Sequence, residues 1–199
     1  MADTQPYNPL DKRNLAESVA KAILSREPCL LTALPVFPGP GVYALYYSGT
    51  LELYQALADD GAQPIYVGKA SPKGRRRGGL MESDPTDTPL LDRRRQHARS
   101  LDETDDLKAT DFRCRYLVVD EVWIDLAEQH LIALYKPVWN VVVDGFGNHD
   151  PGSGRQGQCR SPWDTLHPGR TWAAKLAKDR VPFPEIREQV RKYLDAEEK

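Results

Sequence analysis

The sequence predicts an α+β domain in which a small mixed or antiparallel β-sheet is flanked by helices. Two short β-rich runs, residues 41–47 and 65–67, precede a helical stretch, and a third strand is predicted at residues 113–119. Residues 123–135 carry the most regular apolar stripe of helical spacing in the chain, and Pro137 lies just beyond it. This order of elements is typical of an α+β sandwich.

The remaining elements follow from local patterns. Leu15, Val19 and Ile23 recur at helical spacing, and Gly68 is expected to interrupt the second strand. The further predicted helices cover residues 14–25, 50–60, 92–101 and 184–196. A length of 199 residues suits one domain.

The composition excludes several classes of protein. Lys and Arg number 27 and Asp and Glu 29, which gives a net charge of -2. No run approaches the roughly 18 apolar residues that a membrane span needs, and the first residues lack the pattern of a signal peptide. Cys29, Cys114 and Cys159 include no Cys-x-x-Cys pair, which disfavours a disulfide framework and a zinc ribbon. We therefore expect a cytoplasmic protein without membrane contact.

Charge is strongly segregated along the chain. Residues 69–99 contain nine basic and four acidic residues, whereas residues 100–128 contain nine acidic and three basic ones. A concentrated basic segment can neutralise phosphates although the whole chain is nearly neutral. The alternative is a solvated face with dispersed ion pairs.

A set of short motifs in a fixed order resembles the GIY-YIG nucleases. Two Tyr/Gly tripeptides lie on predicted strands. An Arg-x-x-x-His pair lies on the next predicted helix and a Glu on the helix after it. The pattern ends with a Tyr-x-Pro motif that is followed by an Asn. The motif residues are Gly41-Val42-Tyr43, Tyr66-Val67-Gly68, Arg93, His97, Glu128, Tyr135, Pro137 and Asn140. The resemblance covers residues 38–145 and implies the GIY-YIG fold.

Further features resemble the restriction-endonuclease branch of this family. An insertion, residues 48–63, separates the two tyrosine motifs, and Lys69 directly follows the second motif. Residues 145–155 and 163–172 are similar to the C-terminal stretch of dimeric type II enzymes that cut CCGCGG. With these segments the resemblance extends over nearly the whole chain.

The chemistry of phosphodiester hydrolysis explains several of these residue types. The reaction needs an activated water, positive charge on the phosphoryl oxygens and stabilisation of the leaving group. Glu128 stands alone among uncharged neighbours on its predicted helix face and is a candidate single-carboxylate ligand for Mg²⁺ or Mn²⁺. Arg93 and His97 are four residues apart, so both project from one helical face toward one phosphate. Arg93 suits charge neutralisation because its guanidinium stays protonated.

Tyr43 is the predicted activator of the attacking water. A phenol with a pKa near ~10 is mostly protonated at neutral pH, so Tyr43 must pass its proton to a neighbour or be surrounded by cations. Lys69 and His97 are both candidate proton acceptors. Tyr66 is expected to orient the water or the phosphate. The resemblance adds Asn140 as a residue that supports the site by hydrogen bonds.

Contacts to DNA are expected from a basic loop, the third strand and the glycine-rich C-terminal segment. Basic side chains between glycines suit phosphate contacts, whereas Arg, Asn and Gln elsewhere suit base readout. The candidates in the loop are Lys73, Arg75, Arg76 and Arg77. The candidates for base readout are Arg113, Arg115, Asn148, Arg155, Gln156, Gln158 and Arg160.

We interpret the chain as a single domain over residues 1–199. It comprises an N-terminal helical segment (1–37), the motif core (38–145) and an extension for DNA recognition or dimer formation (146–199). The resemblance implies a type II restriction endonuclease, a metal-dependent hydrolase that cuts double-stranded DNA at a short GC-rich palindrome, CCGCGG. A palindrome is most simply read by a two-fold homodimer. A cognate DNA methyltransferase is the expected genetic partner.

Three alternatives to this interpretation are compatible with parts of the pattern. A sequence-specific DNA-binding protein without catalysis is disfavoured because the full set of catalytic residue types is present together. A repair or mobile-element nuclease of the same fold typically carries separate DNA-binding domains. A His-Asn-His nuclease, built from His130, Asn140 and His149, is disfavoured because His130 lies inside a predicted helix. His149 and His167, in Gly/Pro-rich segments, are each either DNA contacts or without function.

Overall fold

One antiparallel sheet organises the chain in a computed structural model that describes residues 11–33, 35–72, 86–150, 152 and 157–197. Its strands are β1 (Cys29–Leu30), β2 (Gly41–Tyr47), β3 (Tyr66–Ala70) and β4 (Phe112–Val118). They lie side by side in the order β1-β4-β2-β3, and each neighbouring pair is antiparallel. The predicted small antiparallel sheet and the α+β class are thus confirmed, and β3 forms one edge of the sheet.

Seven helices and a second, two-stranded pair complete the described part of the chain. The helices are α1 (Lys12–Leu24), α2 (Gln55–Asp60), α3 (Pro89–Asp102), α4 (Glu121–Tyr135), α5 (Val138–Val141), α6 (Pro162–Leu166) and α7 (Phe183–Glu197). Strands β5 (Cys159–Arg160) and β6 (Lys178–Asp179) pair in parallel. No helix among these residues is long and apolar enough to cross a bilayer.

Local signals explain most of the helix and strand ends. Helix α4 begins two residues before its apolar stripe because the Asp120 side chain caps it by accepting a hydrogen bond from the Val122 amide. Pro at the first position explains why α3 begins before the expected residue 92. The expectation that Gly68 interrupts the second strand is wrong, since β3 continues through it to Ala70. The helix predicted over 50–60 is a 3₁₀ turn followed by α2.

The central strand β2 is buried on both faces and separates two hydrophobic cores. Its residues Tyr43, Leu45 and Tyr47 pack into a core that also contains Trp139 and the C-terminal residues Trp163, Leu166, Ile186, Val190 and Leu194. The alternate residues, among them Val42 and Ala44, pack against α1 and α4. Helices α3 and α4 both contact the edge strand β3, so side chains from the two faces of the sheet come together there.

Candidate active site

The motif glycines make room for a tyrosine and for a neighbouring strand. In the antiparallel register, Gly68 of β3 lies directly opposite Tyr43 of β2. A Cβ atom at Gly68 would overlap the Tyr43 hydroxyl, and one at Gly41 would overlap the carbonyl oxygen of Leu117 on β4. Glycine at these positions lets the Tyr43 ring lie flat across β3 and lets β2 and β4 approach closely.

Tyr43 and His97 form a buried hydrogen-bonded pair between β2 and α3. The Tyr43 hydroxyl lies 2.5 Å from Nε2 of His97. The exposed fraction is 0% for Tyr43 and 2% for His97. The imidazole stacks on the Phe146 ring, with 4.3 Å between ring centroids. Packing therefore holds both partners of the pair in place.

Burial keeps both members of this pair uncharged. Burial raises the pKa of Tyr43 well above its usual range; the neighbouring Tyr66 raises it further, and Arg93 opposes the shift. Burial also lowers the pKa of His97 well below its usual range, and the charge of Arg93 adds to that effect. At neutral pH a neutral phenol thus faces a neutral imidazole, which has a free electron pair on one nitrogen. His97 can accept the Tyr43 proton.

Arg93 is held by uncharged acceptors at the edge of the sheet. Its Nη2 donates to the Gly147 carbonyl oxygen at 2.7 Å, and its Nη1 donates to Gln96 Oε1 at 3.3 Å and to His149 Nε2. No carboxylate of the described residues lies within ion-pair distance of this guanidinium. Arg93 is therefore positioned while its charge stays available to a phosphate.

Lys69 bridges two carboxylates of α4. Its Nζ lies 2.6 Å from Glu128 Oε2 and 3.1 Å from Asp125 Oδ1. Partial burial lowers the pKa of Lys69, but the hydrogen bonds to Glu128 and Asp125 outweigh it, and the net shift is upward. An ammonium group cannot accept a proton. Of the two candidate acceptors for the Tyr43 proton, the geometry therefore favours His97.

The expectation that Glu128 stands alone on its helix face is wrong. Asp125 lies three residues earlier on α4, and one turn of helix brings both carboxylates to the same ammonium. The described residues hold no group of three or more His, Cys, Asp or Glu side chains that could bind a metal. One carboxylate with water and substrate phosphate is nevertheless a common donor set for Mg²⁺, and Glu128 supplies one carboxylate in the wall of a cleft.

Asn140 fixes the outer edge of β3. Its Nδ2 donates to the Val67 carbonyl oxygen at 2.9 Å, and its Oδ1 accepts from the Val67 amide at 2.8 Å. These two bonds replace the strand partner that an edge strand lacks. They hold the backbone at Val67, which follows Tyr66 directly and lies two residues before Lys69.

An open cleft of about 460 Å³ brings most of the predicted catalytic residues together. Its walls include Tyr66, Lys69, Arg93 and Glu128, together with His149. Burial raises the pKa of Tyr66, and Arg93 opposes this effect. Tyr43 and His97 are not part of the cleft wall and are buried next to Tyr66, whose ring centroid lies 6.2 Å from that of Tyr43 and 5.4 Å from that of His97.

The residues predicted to contact DNA lie in different places. Lys73, Arg75, Arg76, Arg77, Arg155 and Gln156 lie outside the described residues. Arg113 and Arg115 belong to β4, which β2 separates from the edge strand β3. Arg115 donates from Nε to the Arg26 carbonyl oxygen at 2.8 Å, and Arg160 pairs with Asp179 at 2.8 Å. These two side chains are engaged within the chain.

Asn148 and Gln158 line a polar cleft of about 410 Å³ that shares His149 with the first cleft. Both residues are exposed. The two residues therefore lie in a cleft adjacent to the one that contains Arg93 and Glu128.

The structure also places the two histidines whose function the sequence left open. His149 contacts Arg93 in the cleft wall. His167 is buried; its Nε2 lies 2.7 Å from the Tyr54 hydroxyl and its Nδ1 lies 2.8 Å from Asp106 Oδ2. Of the two alternatives left open for His167, this burial disfavours a DNA contact. Sequence reasoning missed Asp125, which contacts Lys69, and the contact between His149 and Arg93. The helical spacing of Asp125 from Glu128 could have indicated the first, whereas no local pattern indicates the second.

Comparison with known proteins places this site in a family. No curated protein matches the sequence. The family model described as the Eco29kI GIY-YIG domain matches residues 35–194, which include every strand of the central sheet except β1. The match also extends far beyond the motif core, through the C-terminal segment that packs into the same hydrophobic core. The chain belongs to the Eco29kI GIY-YIG domain family, a family of type II restriction endonucleases.

Proposed function

We propose that this protein is a type II restriction endonuclease that hydrolyses both strands of double-stranded DNA at a short GC-rich palindrome, CCGCGG. One observation carries the catalytic part of this proposal. A neutral Tyr43–His97 pair lies directly behind a cleft in which Arg93, held by uncharged acceptors, and the Glu128 carboxylate come from opposite faces of the sheet. The target sequence follows from the resemblance in the motif and C-terminal segments.

In this mechanism Arg93 binds the scissile phosphate. The guanidinium offsets the negative charge that repels a nucleophile, and its uncharged acceptors do not compete for that charge. Tyr43 transfers its proton to His97 Nε2 and takes one from the attacking water. The water oxygen bonds to phosphorus as the bond from phosphorus to the leaving sugar oxygen breaks, and that oxygen takes a proton from solvent. Tyr66, in the cleft wall beside both residues, orients the water.

DNA binding is expected to activate the buried pair. In the free protein, burial holds Tyr43 and His97 in their neutral forms. A phosphate bound by Arg93 brings negative charge next to His97, and negative charge favours an imidazolium. The proton acceptor therefore becomes a stronger base when substrate is in place.

Glu128 is the proposed ligand of a divalent cation, Mg²⁺ or Mn²⁺. Such a cation supplies positive charge to the phosphoryl and leaving oxygens. Lys69 holds the Glu128 carboxylate in the cleft and adds a second positive charge near the phosphate. Asp125 shares this ammonium and keeps Lys69 between the two carboxylates.

A homodimer would place one such site on each strand of a palindrome. A cognate DNA methyltransferase would protect the host site. Both partners are proposed on the basis of the family resemblance.

The test is cleavage of plasmid DNA that carries one CCGCGG site. Linear product is expected with Mg²⁺ or Mn²⁺ and none with a chelator, and sequencing of the ends locates the cut. Plasmids with one changed base pair in the site test specificity, and Glu128→Gln protein purified in parallel controls for contaminating nuclease. Specific binding without cleavage would support the non-catalytic alternative, and cleavage of branched DNA would support a repair enzyme.

A further inference from the structure

A buried ion pair in the C-terminal segment lies beside the active site. Arg170 is 1% exposed and Asp164, in α6, is 2% exposed. Arg170 Nε lies 2.6 Å from Asp164 Oδ1, and the Ser161 hydroxyl donates to the second oxygen of Asp164 at 2.6 Å. Both charges are thus removed from water and compensated by each other.

The remaining donors of Arg170 bind three backbone carbonyl oxygens of one loop. Nη1 donates to the carbonyl oxygens of Phe146 and Asn148, each at 3.2 Å, and Nη2 donates to that of Gly145 at 3.0 Å. The guanidinium also lies 4.5 Å from the centroid of the Trp163 ring. Arg170 therefore fixes the backbone of residues 145–148 from within the core.

The same loop touches two of the proposed catalytic residues. Phe146 stacks on the imidazole of His97 at 4.3 Å between centroids. The Gly147 carbonyl oxygen accepts the 2.7 Å hydrogen bond from Arg93. A shift of this loop would move both contacts together.

We propose that Arg170 is a positioning residue for DNA cleavage, which it supports through Phe146 and Gly147. This inference rests on the proposed function. Replacement of a buried ion pair by apolar residues often leaves stability unchanged, so stability alone does not account for the pair. Arginine is the residue type that the geometry requires, because its planar group offers five N–H donors in a fixed arrangement, whereas lysine offers three from one atom.

Arg170→Lys tests the proposal because it keeps the charge next to Asp164 but cannot span the three carbonyl oxygens. We expect the single-turnover cleavage rate at saturating protein to fall roughly 10²-fold, the scale of a small misplacement of catalytic groups, while DNA affinity changes little. A matched control is Val190→Ala in α7, which weakens the same hydrophobic core but removes none of the hydrogen bonds to the loop. Below its melting temperature this variant should cleave at the wild-type rate.

A double-mutant cycle separates positioning from general destabilisation. If Arg170 acts partly through Arg93, Arg170→Lys should lower the rate by a smaller factor in an Arg93→Lys background than in the wild type. The same factor in both backgrounds, or a wild-type rate in Arg170→Lys, would overturn the proposal.

A spectroscopic measurement tests the inference even if the wild type cleaves no DNA. In Arg170→Lys, the pKa of His97 from an NMR titration should rise toward that of an ordinary histidine, because the stacked Phe146 ring is released. In Val190→Ala it should stay unchanged. An unchanged titration in Arg170→Lys would refute the positioning role. Absence of cleavage by wild-type protein would instead refute the proposed function.

Discussion

Replacement of Tyr43 by Phe isolates the function of one hydroxyl group. The substitution keeps the ring that packs across Gly68 and removes the hydroxyl, and with it the hydrogen bond to His97 Nε2. That nitrogen is then buried without a partner, which costs about 1–3 kcal/mol of unfolding free energy. For a domain of this size we expect a melting temperature lower by roughly 2–4 °C for each kcal/mol.

The effect on cleavage should be much larger than the effect on stability. Without the hydroxyl, the proposed transfer of a proton from water to His97 has no path, and loss of general-base catalysis lowers rates about 10²–10⁴-fold. The assay is single-turnover cleavage at saturating protein, well below the melting temperature, with DNA affinity measured separately. DNA affinity should stay near that of the wild type.

Tyr54→Phe is the matched control. Its hydroxyl is also buried and also contacts a histidine, His167, at 2.7 Å, but its ring packs against Tyr47 and Trp139 and not against the cleft residue Tyr66. Because the Tyr54 hydroxyl also accepts a hydrogen bond from Trp139 Nε1 at 2.9 Å, this variant should lose at least as much stability as Tyr43→Phe and keep the wild-type cleavage rate. Equal cleavage rates in Tyr43→Phe and Tyr54→Phe would refute the assignment of Tyr43 as the water activator.

Three further predictions test the electrostatics of the site. Glu128→Gln should keep DNA binding and lower cleavage by at least ~10²-fold, and near-normal cleavage at saturating Mg²⁺ would contradict the metal assignment. Lys69→Arg should retain more activity than Lys69→Met, because Lys69 acts through its charge; equally inactive variants would instead implicate it as the proton acceptor. The unfolding free energy should decrease as pH falls below about 6.5, since unfolded His97 then binds a proton that buried His97 does not, with a slope of up to ~1.4 kcal/mol per pH unit. Urea titrations at pH 7.5 and 5.5 measure this slope, which should diminish in His97→Gln.

The sequence by itself determined the class of fold and the residues of the candidate site. Strand β2 matches the predicted residues 41–47, and α4 contains the whole predicted stretch 123–135. These elements follow from short-range patterns, a continuous apolar run in a doubly buried strand and an apolar stripe in a helix. The order of the motifs was sufficient to identify the family, because motif order is a property of the chain and not of its packing.

Only the tertiary structure supplied the contacts from which the proposed roles of these residues are argued. The choice of His97 over Lys69 as proton acceptor depends on burial of the imidazole and on two carboxylates beside the ammonium. Both effects arise from residues that are distant in sequence, and a pKa responds to neighbours in space.

The same reason explains what sequence reasoning missed in the C-terminal segment. Residues 146–199 were interpreted as an extension for DNA recognition or dimer formation. In the structure, Arg170 and Trp163 of this segment lie in or against the core, and Arg170 holds the loop that touches His97 and Arg93. No local pattern announces a contact between residues so far apart along the chain, because it forms only when the sheet and its helices have enclosed a common core.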